Sequence, residues 1–156
     1  MTEFVNHRGG CHCGAVRYEV EGPSHIIAWD CNCTICRMKG NTYLIVPASK
    51  FRLHQGQHSL SLYQFGTRKA KHYFCSTCGV DSFYVPRSNP DGVAVAINCL
   101  DKGTVKSVTV KSFDGENWDS AFATSEVYKC SQETYTDTTP KPQATGLAET
   151  VSVRST

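Results

Sequence analysis

Cys31-Asn32-Cys33-Thr34-Ile35-Cys36 sets three thiols within six residues, and thiolates so close together are ligands for a borderline-soft divalent cation such as zinc. A structural zinc normally takes four protein ligands, whereas a catalytic zinc takes three and keeps a position open for water or substrate. Three thiols in one tight turn fit the second case. Cys11-His12-Cys13-Gly14 and Cys75-Ser76-Thr77-Cys78-Gly79 together supply four more, enough to close a tetrahedral site. Gly14 and Gly79 each follow the last thiol of their motif, where a positive φ lets the turn fold back and aim amides at sulfur. Arg37 holds that place after Cys36. The seven clustered cysteines therefore divide into a structural site, Cys11, Cys13, Cys75 and Cys78, and a catalytic one, Cys31, Cys33 and Cys36. The alternative is that all seven only stabilise the fold, the second site being closed by another residue.

Three thiolates give zinc a net negative charge, so a nearby cation or several N–H donors are expected around it. Arg37 is the first candidate. Arg68-Lys69-Ala70-Lys71-His72 is the densest positive run, either an anion grip or the solvated end of a strand. Cys99 reads as an isolated buried thiol and Cys130 as incidental. His12, His25, His54, His58 and His72 have no ligand spacing and are assigned structural or surface roles. Asp30, directly before Cys31, is either a proton acceptor beside the site or an ordinary strand-end residue.

The elements that must position these residues read as mainly β. Residues 1–9 are a polar lead-in, and Gly9-Gly10 turns the chain into the first thiol pair. Val16, Tyr18 and Val20 alternate with Arg17 and Glu19 as a half-buried strand ended by Gly22-Pro23. His25 to Trp29 delivers the three-thiol turn, and Arg37 to Asn41 follows as loop. Further strands are expected at Tyr43–Val46, Phe51–Leu53, Ser59–Phe65 and Lys71–Phe74, then at Ser82–Val85, Val93–Ile97 and Thr104–Lys111. The middle of the chain reads as a meander. Trp118 to Val127 is the one helix of note, with Asn117 as its N-cap. Residues 1–130 form the zinc-binding domain; residues 131–156, rich in Ser and Thr with Pro140 and Pro142, read as a disordered tail.

The 156 residues and 40% hydrophobic content suit one domain with a core. A formal net charge of +2 is too mild to argue for nucleic acid. Nine cysteines without a signal-peptide pattern point to an intracellular, reducing location, cytoplasmic or nuclear. No apolar run approaches the roughly 20 residues of a membrane helix, so no membrane partner is expected.

Gly9-Gly10-Cys11-His12-Cys13-Gly14-Ala15-Val16-Arg17-Tyr18, then Cys31 to Arg37, then Phe74-Cys75-Ser76-Thr77-Cys78-Gly79-Val80 resemble the glutathione-dependent formaldehyde-activating enzyme family. Ile45-Val46-Pro47-Ala48-Ser49, Tyr84 to Pro90 and Asn98-Cys99-Leu100-Asp101 resemble its centromere protein V branch. The resemblance covers roughly Gly9 to Ala123. It implies a β-tent of antiparallel sheets and two zinc ions per chain, one structural on Cys11, Cys13, Cys75 and Cys78 and one catalytic on Cys31, Cys33 and Cys36. It further implies a carbon-sulfur lyase, or hydrolase, acting on a thiol adduct such as S-hydroxymethylglutathione, with glutathione as co-substrate. Arg37, Arg68, Lys69 and Asn98 are then the candidate substrate contacts. The rival expectation is a non-catalytic, zinc-stabilised module for chromatin, RNA or microtubules.

Overall fold

Alternation in Val16, Tyr18 and Val20 does place these side chains inward, all three at 1% exposure or less. The computed structural model describes residues 2–135. In it, β2 (Arg17–Pro23) lies between β1 (Phe4–Gly10) and β5 (Phe51–Gln55) in a three-stranded antiparallel sheet. Tyr18 packs on Phe51 at 5.1 Å between ring centroids, and Phe51 on Phe83 at 4.7 Å. The buried Tyr18 hydroxyl donates to the Ser82 carbonyl at 3.1 Å, so its polar end is satisfied inside the core.

The N-terminal residues differ from the expected lead-in, because β1 is a full strand paired along its whole length with β2. Its inward face is built from His7, Gly9 and Gly10 rather than from apolar side chains. His7 is fully buried, with Nε2 donating to the Pro23 carbonyl at 3.0 Å and Nδ1 accepting from the Thr104 hydroxyl at 2.7 Å. Nor do the two glycines turn the chain. A Cβ on Gly9 would meet the Cys99 carbonyl at 2.6 Å, and one on Gly10 the Val16 carbonyl at 2.0 Å, so close backbone approach explains both.

The second sheet has seven strands: β10 (Ser107–Phe113), β3 (His25–Cys31), β4 (Tyr43–Pro47), β9 (Gly92–Ala96), β8 (Phe83–Val85), β7 (Lys71–Cys75) and β6 (Leu60–Tyr63), in that spatial order. From β6 to β9 it is an antiparallel meander, but the one expected from Phe51 onward is broken, because β5 pairs with β2 in the small sheet and only β6 and β7 of its three strands lie together. β4 and β9 are buried at every position, as a central strand pair covered on both faces requires. One pairing departs from the antiparallel rule: β10 runs parallel to β3 and sets Phe113 opposite Cys31. β3 and β4 meet at one registered pair, Trp29 opposite Tyr43.

Two short helices complete the site region. The expected loop after Cys36 is instead part of α1 (Thr34–Lys39). The Arg37 amide donates to the Cys33 carbonyl at 3.0 Å and the Gly40 amide to the Cys36 carbonyl at 2.9 Å, with Gly40 at φ 66° closing the helix. α2 (Trp118–Thr124) is the expected helix, three residues shorter. Asn117 stands at its N-cap position, but the side chain donates to Asp114 at 2.8 Å instead of accepting from the helix amides. Past the expected boundary at 130, Ser131 is buried and bonded to Asn89 and Asp91 at 2.9 and 2.7 Å. The rest of the expected tail, from residue 136, lies outside the described residues. No helix among the described residues is long and apolar enough to cross a membrane.

Candidate metal centres and the cavity beside them

The β1–β2 turn and the turn after β7 converge, bringing the sulfurs of Cys11, Cys13, Cys75 and Cys78 within 4.8 Å of one another. Cys13 Sγ lies 3.6 Å from both Cys11 and Cys75 Sγ. Gly14 and Gly79 have φ of 83° and 75°, and amides do point at the thiols: Val16 N–H at Cys11 Sγ (3.2 Å) and Thr77 N–H at Cys75 Sγ (3.4 Å). The amides of Cys13 and Val80 lower the Cys78 thiol to about 6. These four residues could hold one metal ion, and the cluster ties one end of the small sheet to the large one.

Cys31 ends β3, Cys33 precedes α1 and Cys36 is its buried third residue, which gathers their sulfurs within 4.8 Å as well. Among the described residues no fourth His, Cys, Asp or Glu joins them. Neighbouring thiols and the amides of Cys36 and Ile35 hold Cys33 far below the usual thiol value, while the same thiols and burial push Cys36 up. Three soft donors at this separation, with amides converging on one sulfur, fit a divalent cation. The parallel β10 then matters, because it delivers Gly115 against this cluster. A Cβ on Gly115 would lie 2.4 Å from Cys31 Sγ and 2.7 Å from Cys33 Cβ. Asn32 fastens the same turn by donating to Asp114 at 2.9 Å and accepting from the Glu116 amide at 3.1 Å.

The three thiols, and none of the other four, open onto a cavity of about 520 Å³. Its walls are mostly aromatic, including Trp29, Tyr43, Phe65, Tyr84, Phe113 and Trp118. The candidate substrate contacts lie elsewhere. Arg37 faces solvent on α1; Arg68 and Lys69 are exposed on the β6–β7 turn, where Arg68 has φ 57°; Asn98 is exposed after β9. None of the four lines the cavity. Asp30 is exposed too, and alternation along β3 turns it away from the cavity face that carries Trp29 and Cys31.

Polar groups that sequence reasoning passed over line it instead. Arg87 lays its guanidinium 3.7 Å from the Trp118 ring centroid and pairs with Asp119 at 3.5 Å. His72 is 2% exposed, stacked on Tyr84 with ring centroids 4.9 Å apart and planes 7° from parallel. Burial first, and then the Lys39 ammonium, lower His72 to about 4. Lys39 pairs with the buried Asp81, whose carboxyl burial raises to about 6 against that ion pair.

Residues 6–114 match the family described as "Glutathione-dependent formaldehyde-activating enzyme". The chain belongs to this family. A Halomonas elongata protein named "Putative glutathione-dependent formaldehyde-activating enzyme" is 37% identical over 79 residues, 45% of this chain and 50% of that protein. The chain thus matches about half the length of this curated relative. A crystal structure of a Rhodobacter sphaeroides protein is 42% identical with a TM-score of 0.58, covering 62% of this chain and 89% of that one. The family match spans both thiol clusters whole and ends at Asp114, so Gly115 and Trp118 fall just outside it.

Proposed function

We propose that the protein is a zinc-dependent carbon-sulfur lyase, or hydrolase, acting on an adduct of glutathione or a related thiol, such as S-hydroxymethylglutathione. The observation that carries this reading is the asymmetry of the clusters: four thiols form a site away from the cavity, and three form one in its wall. A zinc ion on Cys31, Cys33 and Cys36 would supply a site where an incoming thiol ionises far below its free value near 8.5. The chain's own residues do the rest. Gly115 and Asn32 hold the three sulfurs in place, the aromatic walls exclude water, and the buried donors orient the adduct.

In the forward direction the substrate sulfur forms a bond to the aldehyde carbon while the C=O pair moves to oxygen and is protonated. In reverse the C–S bond breaks and the carbonyl is regenerated. The family's name and the Halomonas elongata relative support glutathione as the thiol. The segments Ile45 to Ser49, Tyr84 to Pro90 and Asn98 to Asp101 support placement in the centromere protein V branch. The exposed Arg68, Lys69 and Lys71 favour a second reading, a polyanion-binding module, since such a patch outside the cavity suits phosphates.

Exchange NMR on mixtures of glutathione and formaldehyde separates the two. The enzyme reading expects wild-type protein to speed interconversion above the uncatalysed rate and Cys33→Ser to lose that gain while staying folded. Equal rates with wild-type and variant would overturn it.

A further inference from the structure

His72 lies in β7, away from the thiol motifs, and its Nε2 is buried without a hydrogen-bond partner among the described residues. A buried polar atom left unpaired carries the full cost of its desolvation unless a ligand satisfies it. The ring cannot swing to find a partner elsewhere. It lies between Tyr84 and Phe65, stacked on both, at 4.9 and 5.7 Å between centroids.

The tautomer is set from the other side. Lys39 Nζ approaches Nδ1 at 3.3 Å, and an ammonium only donates. Nδ1 must therefore offer its lone pair, which leaves the proton on Nε2. Lys39 is itself held by the Asp81 carboxylate. The outcome is a fixed, neutral N–H donor in the wall of the same cavity that the three thiols open onto.

We propose that His72 is a substrate-contacting donor, its Nε2–H binding the hydroxyl or carbonyl oxygen of a small thiol adduct whose sulfur lies at Cys31, Cys33 and Cys36. This rests on the cavity being the thiol-adduct site. It also narrows the substrate class: the adduct carries a hydrogen-bond-accepting oxygen as well as its sulfur, and the rest of it tolerates aromatic walls. No proton needs to leave the ring, because the donor stabilises charge developing on oxygen as the C–S bond forms or breaks.

The test measures binding of 2-mercaptoethanol and of ethanethiol to zinc-loaded protein, read by tryptophan fluorescence from Trp29 and Trp118. Wild-type protein is expected to prefer the hydroxyl-bearing thiol by about tenfold, the size of one net hydrogen bond. His72→Phe, which keeps the stacking, abolishes the preference; His72→Gln, which restores an N–H donor, recovers part of it. The same ratio in wild-type and His72→Phe overturns the assignment and leaves the thiol site standing. If neither thiol binds wild-type protein, the thiol-site reading fails and His72 falls with it. Independently of either variant, nitrogen NMR of the wild-type imidazole is expected to place the proton on Nε2, and a proton on Nδ1 would overturn the proposal.

Discussion

A single hydrogen at Gly115 decides whether three sulfurs can sit together. Its backbone conformation is ordinary, so the requirement is space: a methyl group there would overlap Cys31 Sγ. Gly115→Ala should cost about 1–3 kcal/mol through overpacking and lower the metal content relative to wild type. Metal analysis beside a chemical denaturation curve checks both, and full occupancy with unchanged stability would refute the contact. The residue scale also shows where sequence reading stops. The thiols themselves were legible because ligand spacing is local, and Gly14 and Gly79 carry the positive φ that their place after the last thiol required. His72 was passed over for lack of ligand spacing, yet its environment is made by Tyr84, Phe65 and Lys39, three residues from three other parts of the chain. Arg68 and Lys69 drew notice through charge density alone, which says nothing of which way a turn faces.

Among the elements, β1 carries a pH signature of its own. His7 is fully buried and desolvation lowers its pKa, while its bond to the Pro23 carbonyl opposes that shift; Thr104 is its other partner. Below the unfolded value of about 6.5 the unfolded chain binds the extra proton and the folded one resists it, so this contribution to stability is present above 6.5 and is lost as pH falls. His7→Phe should be less stable at pH 7.5 for want of two hydrogen bonds, and the gap to wild type should narrow towards pH 5. Denaturant titrations across that range test this, and a constant gap would contradict it. The strand was unreadable because its buried face is one histidine and two glycines, with no apolar alternation to mark it. α1 was hidden by its length of six residues and by the absence of a side-chain cap. The parallel pairing of β10 with β3 is a long-range choice that leaves no mark in either strand, though it brings Gly115 and Trp118 to the thiols.

The whole molecule is two sheets with one thiol cluster joining them and another at a cavity mouth. Losing a thiol should therefore have unequal effects in the two clusters. Cys75→Ser removes a fully buried thiol of the joining cluster and, with zinc bound there as proposed, should abolish the cooperative thermal transition, since binding energy at such a site is folding energy. Cys33→Ser should leave a cooperative transition within several degrees of wild type. Circular dichroism melts of both variants decide the matter, and equal loss in the two would mean that all seven thiols serve the fold. That architecture, mainly β with a late short helix, was readable from period-two strands and turn residues; the cavity was not, because its walls come from β3, α1, β4, β7, β8 and the segments after β6, β8 and β10.

The proposed chemistry depends on a metal ion at Cys31, Cys33 and Cys36 with one position open to a thiol. Glutathione titrated into cobalt-substituted protein, followed by visible absorption, reports that position. A saturable spectral change in one of two bound cobalt ions, lost in Cys33→Ser, is expected. An unchanged spectrum with two ions bound would rule the open position out.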